Sequence, residues 1–245
     1  MHVALVHHHV GGKAGGGGGV RLMLELGVGL ARRGHRITVA CHDHLPNSEF
    51  DYAAGQIEIR PIETMLNHHT TELFIQDLEV PAENLIGQEG MGFRYIIDGW
   101  NAERILIAAE SIGDGRWFVA RAAKYASERV VFGRPIGANQ GVQFPIAQAH
   151  ARLEAADLLR HKAAWLFDSG QRCGAEANMA KLLAAQAAWD AANACLDSHG
   201  GYGFAVEFDV ERKFRETRLY SVAPINNNLV LAYVGQHVLG LPRSY

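Results

Sequence analysis

The sequence predicts a mostly α protein. An antiparallel four-helix bundle occupies residues 91–245, preceded by a small β-α-β (Rossmann-like) segment over 1–60 and a short β remnant over 61–90. Three observations predict this. A glycine run at 11–19 separates a short apolar stretch from a helical period. Composition changes sharply near residue 60. Four segments of helical character follow, near 91–128, 140–169, 173–200 and 225–240.

In chain order, Val3-Ala4-Leu5-Val6 is a short apolar run of the kind that forms a buried parallel strand. The glycine run comes next, and then Leu22, Leu26 and Leu30 recur at helical spacing over 20–33, with Gly34 where a helix C-cap belongs. Arg36-Ile37-Thr38-Val39-Ala40 reads as a second strand, and Ile57 with Ile59 alternates as a third. A glycine-rich turn between strand and helix lets backbone amides approach a phosphate. Here the run lacks the spacing of a dinucleotide fingerprint and has no closing Lys-Ser/Thr, so a flexible connection is an equal reading. Thr71-Glu72-Leu73-Phe74-Ile75 alternates as a strand, and Pro81, Asn84, Gly87 and Gly90 mark turns.

The second helical segment carries Ile146, Leu153, Ala156, Leu159, Ala163 and Leu166 on one face. The third carries Met179, Leu182, Leu183, Ala187, Ala191, Ala194 and Cys195. Long amphipathic helices joined by short loops pack as an antiparallel bundle, and the many small residues allow close backbone approach.

Composition excludes several classes. Among 245 residues the net charge is −3, with no basic run that would bind nucleic acid. No apolar stretch is long enough to span a membrane, and no secretory signal opens the chain. Cys41, Cys173 and Cys195 are odd in number and scattered, which fits a reducing cytoplasm and gives no metal spacing. His7, His8 and His9 alternate sides on a strand end, so they cannot all face one ion, and no metal is expected.

The run Asn101-Ala102-Glu103-Arg104 lies inside the first long helix, with Trp100 before it and Ile105, Leu106 and Ile107 after it. A carboxylate held beside apolar side chains is desolvated, which raises its pKa and strengthens it as a base. Glu103 is therefore the candidate general base for removing a weakly acidic proton from carbon. The alternatives are a solvated helix-surface Glu that happens to sit beside core residues, and an ion pair with Arg104 or a nearby Arg.

Residues 61–245 resemble the carboxy-terminal half of the acyl-CoA dehydrogenases. The resemblance rests on Val80-Pro81-Ala82-Glu83-Asn84-Leu85-Ile86-Gly87, Gly90-Met91-Gly92-Phe93, Glu103-Arg104, and Tyr125-Ala126-Ser127-Glu128-Arg129-Val130-Val131-Phe132-Gly133-Arg134-Pro135-Ile136. Gln140, Met179-Ala180-Lys181, His199-Gly200-Gly201-Tyr202-Gly203 and Val210-Glu211-Arg212 follow in family order. Residues 1–60 resemble the opening of the GT-B family 4 glycosyltransferases, on Met1-His2-Val3-Ala4-Leu5-Val6-His7-His8-His9, the glycine run and Gly34-His35-Arg36-Ile37-Thr38-Val39-Ala40.

The first resemblance implies an FAD-dependent oxidoreductase and a bundle of acyl-CoA dehydrogenase type. A base takes the proton next to an acyl-CoA thioester, and a hydride passes to the flavin. Most members carry the base in a carboxy-terminal loop. Here that loop reads Val222-Ala223-Pro224-Ile225-Asn226 with no carboxylate, so the chain resembles the minority that carry it at the position of Glu103. The family also uses an N–H of this loop to hold the thioester oxygen. Pro224 falls at that place without one, so either the register shifts or another donor serves.

By resemblance, Arg129 pairs with the FAD pyrophosphate, a sensible match for a guanidinium. Phe132 and Gln140 lie along the cofactor, and the turn with Gly200, Gly201 and Gly203 lets backbone approach its adenosine part. Asp197 stands where the family usually has Gln. Asn101, Ala102 and Arg104 border the acyl-CoA, and Tyr95 and Trp100 line its acyl pocket. The family implies a homo-oligomer (dimer or tetramer) and an electron-transfer flavoprotein as electron acceptor. Most of the family's amino-terminal and middle domains have no counterpart here. Two other readings therefore stand beside the dehydrogenase: a non-catalytic oligomerisation module or fusion, and sugar-nucleotide binding by residues 1–60.

Overall fold

The computed structural model describes residues 2–6, 36–40, 57–62, 70–75 and 81–243. It divides into two units, Met1–Gly90 and Met91–Tyr245. In the first unit β1 (His2–Val6) pairs in parallel with β2 (Arg36–Ala40), His2 opposite Arg36 and Val6 opposite Ala40. β3 (Ile57–Ile62) and β4 (Thr70–Ile75) form an antiparallel pair, Ile57 opposite Ile75. The glycine run 11–19, the helix expected over 20–33, its Gly34 cap and His7 to His9 lie outside the described residues.

The second unit is helical. α1 (Gly92–Glu128) has 37 residues and runs about 55 Å at 1.5 Å per residue. Its buried positions Arg104, Ala108, Ser111, Ile112, Gly115, Phe118, Ala122 and Ala126 recur mostly three or four apart, which puts them on one stripe. The helix ends where Arg129 turns extended, its N–H still bonded to the Tyr125 carbonyl at 2.9 Å. A two-residue turn, Phe132 and Gly133, joins β5 (Val130–Val131) to β6 (Arg134–Pro135) and leads into α2 (Gln140–Asp168). On α2, Ile146, Leu153, Ala156, Ala163 and Leu166 are buried as their spacing predicts.

α3 (Gly174–His199) is the central helix. Its buried set includes Ala177, Ala180, Ala184, Ala185, Ala187, Ala188, Ala191, Ala192 and Ala194, distributed around much of its circumference. Methyl side chains let α1 and α2 close on it from different sides. Phe118, Leu153 and Val210 interlock with Ala187, Ala191 and Cys195 in the larger core cluster. Ala108, Ile112, Ala156, Ala180 and Ala184 form a second cluster.

The expected four-helix bundle is modified here. The segment predicted over 225–240 is α5 (Asn227–Tyr233), seven residues long, followed by a π-helical turn at Val234–Val238. Asn226 starts it by accepting the Leu229 N–H at 2.9 Å, an N-cap bond. Periodicity did not single out α4 (Val210–Thr217), which is largely charged and held by Arg212–Glu216 and Arg215–Glu211 pairs one turn apart. The unit is thus three long helices braced by two short ones. Lys213 of α4 and the Tyr220 hydroxyl, the latter at 2.7 Å, both reach Asp114 and tie this brace to α1.

At Gly115, α1 packs directly against Leu153 of α2. A Cβ there would stand 2.4 Å from Leu153 Cδ2, and Leu153 is fully buried with no room to turn away. Gly115→Ala should lower stability by ~1–2 kcal/mol, because overpacking outweighs the gain in helix propensity. Chemical denaturation with an unchanged or raised midpoint would contradict this.

Candidate functional site

α3 positions two clefts, one at each end. At its carboxy-terminal end the helix breaks at Gly200, whose φ of +56° is accessible to glycine at little cost. A cleft of about 670 Å³ opens there between the end of α1, the β5–β6 hairpin and the turn 197–202. It brings together four of the expected cofactor residues: Arg129, Asp197, Gly200 and Gly201. A Cβ at Gly200 or Gly201 would meet nothing within 4 Å, so backbone there faces open space a ligand can enter. The Arg129 guanidinium lies 5.8 Å from the Tyr202 ring centroid. A cation beside exposed backbone and an aromatic face fits the phosphate and adenosine parts of a dinucleotide.

The other three expected cofactor residues are outside this cleft. Phe132 is at the hairpin tip, 101% exposed, with φ of +53°. Gln140 opens α2 and is exposed. Gly203 is buried, and a Cβ on it would stand 2.7 Å from Leu196 Cδ1, so its smallness serves packing within the turn.

Tyr125, His199 and Tyr202 also line the cleft and were not singled out as site residues. The signal was present, since all three lie within the two quoted motifs. The His199 ring stacks on Tyr125 at 4.1 Å, and its Nδ1 sits 2.8 Å from the Cys195 carbonyl. A carbonyl only accepts, so Nδ1 carries the hydrogen and Nε2 holds the lone pair. Burial pulls the pKa of His199 below its ordinary value, with the Arg121 charge adding to this and the Cys195 carbonyl opposing it.

At the amino-terminal end of α3 a second cavity, about 1090 Å³, lies between α1, the loop 170–174, the loop 222–226 and α5. It gathers Trp100, Asn101 and Arg104 with Pro224. Tyr95, Ala102 and Glu103 do not line it, and all three are exposed. The desolvation expected for Glu103 is therefore not supplied by the described residues. Residues adjacent in a helix point about 100° apart, so Arg104 and Ile105 turn inward while Glu103 turns out. Nor is Arg104 its hydrogen-bonding partner: the Arg104 guanidinium donates to Asn101 Oδ1 at 3.0 Å and to the Ile97 carbonyl at 3.4 Å.

The loop 222–226 is held from behind. Lys181, fully buried, donates to the Ile225 carbonyl at 2.7 Å and to Asn227 Oδ1 at 3.0 Å. Burial first, and the charge of Arg104 second, pull its pKa down to about 8. The N–H groups of Val222 and Ala223 are both taken by the Leu219 carbonyl, and Pro224 has none. Residues 222–224 thus offer the cavity no backbone donor. Burial pushes the Cys195 thiol up to about 12, which makes it inert as a nucleophile.

Residues 90–237 match the family model for the acyl-CoA dehydrogenase C-terminal domain. The chain belongs to the acyl-CoA dehydrogenase family. It is 42% identical over 176 residues to the acyl-CoA dehydrogenase FadE12 of Mycobacterium tuberculosis, covering 71% of this chain and 45% of the relative. An acyl-CoA dehydrogenase of Bacillus subtilis is 40% identical over 172 residues, with 70% and 45% covered. The structure of butyryl-CoA dehydrogenase from Megasphaera elsdenii superposes with a TM-score of 0.71 at 30% identity, covering 78% of this chain and 50% of that one. A glutaryl-coenzyme A dehydrogenase in complex with glutaryl-CoA gives 0.71 at 33% identity, with 78% and 49% covered. The chain spans about half the length of these relatives. The family match begins at residue 90, so it says nothing about the glycosyltransferase resemblance of residues 1–60.

Two outcomes test this geometry. His199 has a folded pKa below its ordinary 6.5, so on acidification the unfolded chain takes up the proton first. Its contribution is full above pH 6.5 and is lost as pH falls below it. The melting temperature should drop between pH 7 and 5 more steeply in the native chain than in His199→Phe. Equal slopes would contradict the assignment. Lys181→Met leaves two loop oxygens unpaired and should cost ~1–3 kcal/mol, with faster amide exchange over 225–229. Unchanged exchange there would show that the lysine does not hold the loop.

Proposed function

We propose that this chain acts as an FAD-dependent acyl-CoA dehydrogenase-like oxidoreductase. The observation that supports it most is the cleft at the end of α3, where Arg129 and the open glycine turn meet. Arg129 would pair with the pyrophosphate, and the backbone of Gly200 and Gly201 would lie against the adenosine part. Asp197 sits on the rim, and Phe132 and Gln140 extend the contact from the hairpin and the start of α2. FAD, when bound, supplies the two-electron acceptor for the hydride.

Glu103 is the proposed base. Its carboxylate would take the proton on the carbon next to the thioester carbonyl. An acyl-CoA lying over the outer face of α1, beside Tyr95, Trp100 and Ala102, would exclude water from Glu103. Its pKa would then rise at the moment a base is needed. Substrate and cofactor, rather than the helix itself, would provide the desolvation. An oligomer fits the same reading, since Leu158 and Trp165 leave a large apolar surface exposed on α2. An electron-transfer flavoprotein is the proposed acceptor of the electrons.

The protein reconstituted with FAD should be yellow and should bleach anaerobically with butyryl-CoA. Glu103→Gln should keep the colour but slow bleaching by ~10²–10⁴-fold. Bleaching at the native rate would remove Glu103 as the base. A chain that assembles but takes up no flavin would favour the oligomerisation module instead.

A further inference from the structure

The segment that follows α3 carries three large apolar side chains and turns one of them inward. Phe204 is 68% exposed and Val206 82% exposed, whereas Phe208 is half-buried against the larger core cluster. The backbone sets this choice. Gly203 lets the chain fold back tightly, since a Cβ there would stand 2.7 Å from Leu196 Cδ1 and 3.4 Å from His199 Cβ. Two tight turns follow, closed by the Ala205 N–H on the Tyr202 carbonyl and the Phe208 N–H on the Ala205 carbonyl, both at 3.1 Å. They bring Phe208 back against His199.

There Phe208 meets three rings from three parts of the unit. Its centroid lies 5.6 Å from His199 of α3 and 6.0 Å from Tyr125 of α1, both edge to face, and 5.6 Å from Tyr202 of the glycine turn. Those three rings line the cleft at the carboxy-terminal end of α3, and Phe208 does not. It stands behind the cleft wall and touches every ring in it. Tyr202 is the least supported of the three, 50% exposed, and it is the ring beside the Arg129 guanidinium.

Arg129 is exposed. A long exposed cation keeps many rotamers unless a neighbour selects one. The Tyr202 ring face does so at 5.8 Å, but only if the ring is itself held. Building on the flavin reading of this cleft, we infer that Phe208 is a positioning residue: by fixing Tyr202 it sets the direction in which Arg129 meets the cofactor phosphates. The line of contact runs from the core cluster through Phe208 and Tyr202 to the guanidinium.

Two measurements test it, and the first needs no flavin. The Arg129 Nε–H signal in a nitrogen-15 spectrum, identified by its loss in Arg129→Gln, should move in Phe208→Leu and hold its place in Phe208→Tyr. A signal unmoved in Phe208→Leu would overturn the proposal. The second is a double-mutant cycle on FAD affinity. Phe208→Leu should weaken FAD binding ~5-fold in the native background and change nothing beside Arg129→Gln, because an absent guanidinium cannot be misdirected. Equal losses in both backgrounds would show that Phe208 serves packing alone. Phe208→Met carries the same expectations should Phe208→Leu not fold. A native chain that takes up no flavin would overturn the flavin reading and with it the cofactor role of Phe208, while the Nε–H shift would still show that Phe208 directs the guanidinium.

Discussion

Close packing around α3 is the constraint on which the rest of the helical unit depends. Its alanines leave no side chain to hold neighbours away, so α1 and α2 settle against it at short range. Small residues trade buried area for closeness, and dispersion contacts across tight interfaces make up part of the difference. The larger side chains that fill the remaining space, Phe118, Ile112 and Leu153, come from α1 and α2. A helix fixed in this way is a rigid strut. Its amino-terminal end walls one cavity, and its carboxy-terminal end makes the glycine turn of the other.

The two clefts differ in kind. The one at the glycine turn is assembled from exposed backbone, an arginine and stacked rings, and its buried histidine is satisfied by a carbonyl one turn back. The other is walled by Arg104, Asn178 and Gln236, each with one buried polar atom that has no hydrogen-bond partner among the described residues. The flavin reading rests on the first cleft. Glu103 belongs to neither wall; it stands on the outer face of α1, where only an added molecule can dehydrate it.

Much of the bundle was legible in the sequence because burial follows helical periodicity. Ile146, Leu153, Ala156, Ala163 and Leu166 are buried as their spacing requires. On α3 the pattern was less decisive, since Leu183 is exposed while the small Ala184 and Ala185 are buried. Alanine carries too little hydrophobicity to mark a core face by itself. The fourth helix was overextended because apolar residues continue through Val234 and Val238 while the backbone has changed to a π turn. α4 was missed because its side chains are mostly charged, and only Val210 and Thr217 are buried.

The site was legible where it is made of motif residues and illegible where it depends on direction. Arg129 and the glycine turn converge as their residue types suggest. Leu106 and Ile107 share the helix face of Glu103, one turn on, but nothing among the described residues covers that face: Glu103 and Leu106 are both exposed. Arg104 and Lys181 stood in quoted motifs, but their burial was hidden, since a cation in an ordinary helix is expected to be solvated. Only the packing around α3 shows that both are buried.

Native-state hydrogen exchange on α3 tests this account most directly. The amides over 184–192 should exchange only through global unfolding, with protection equal to the stability from denaturation, while those of α2 and α4 open at lower cost. Faster exchange at the centre of α3 than in α2 would contradict the claim that this helix holds the unit and its two clefts in place.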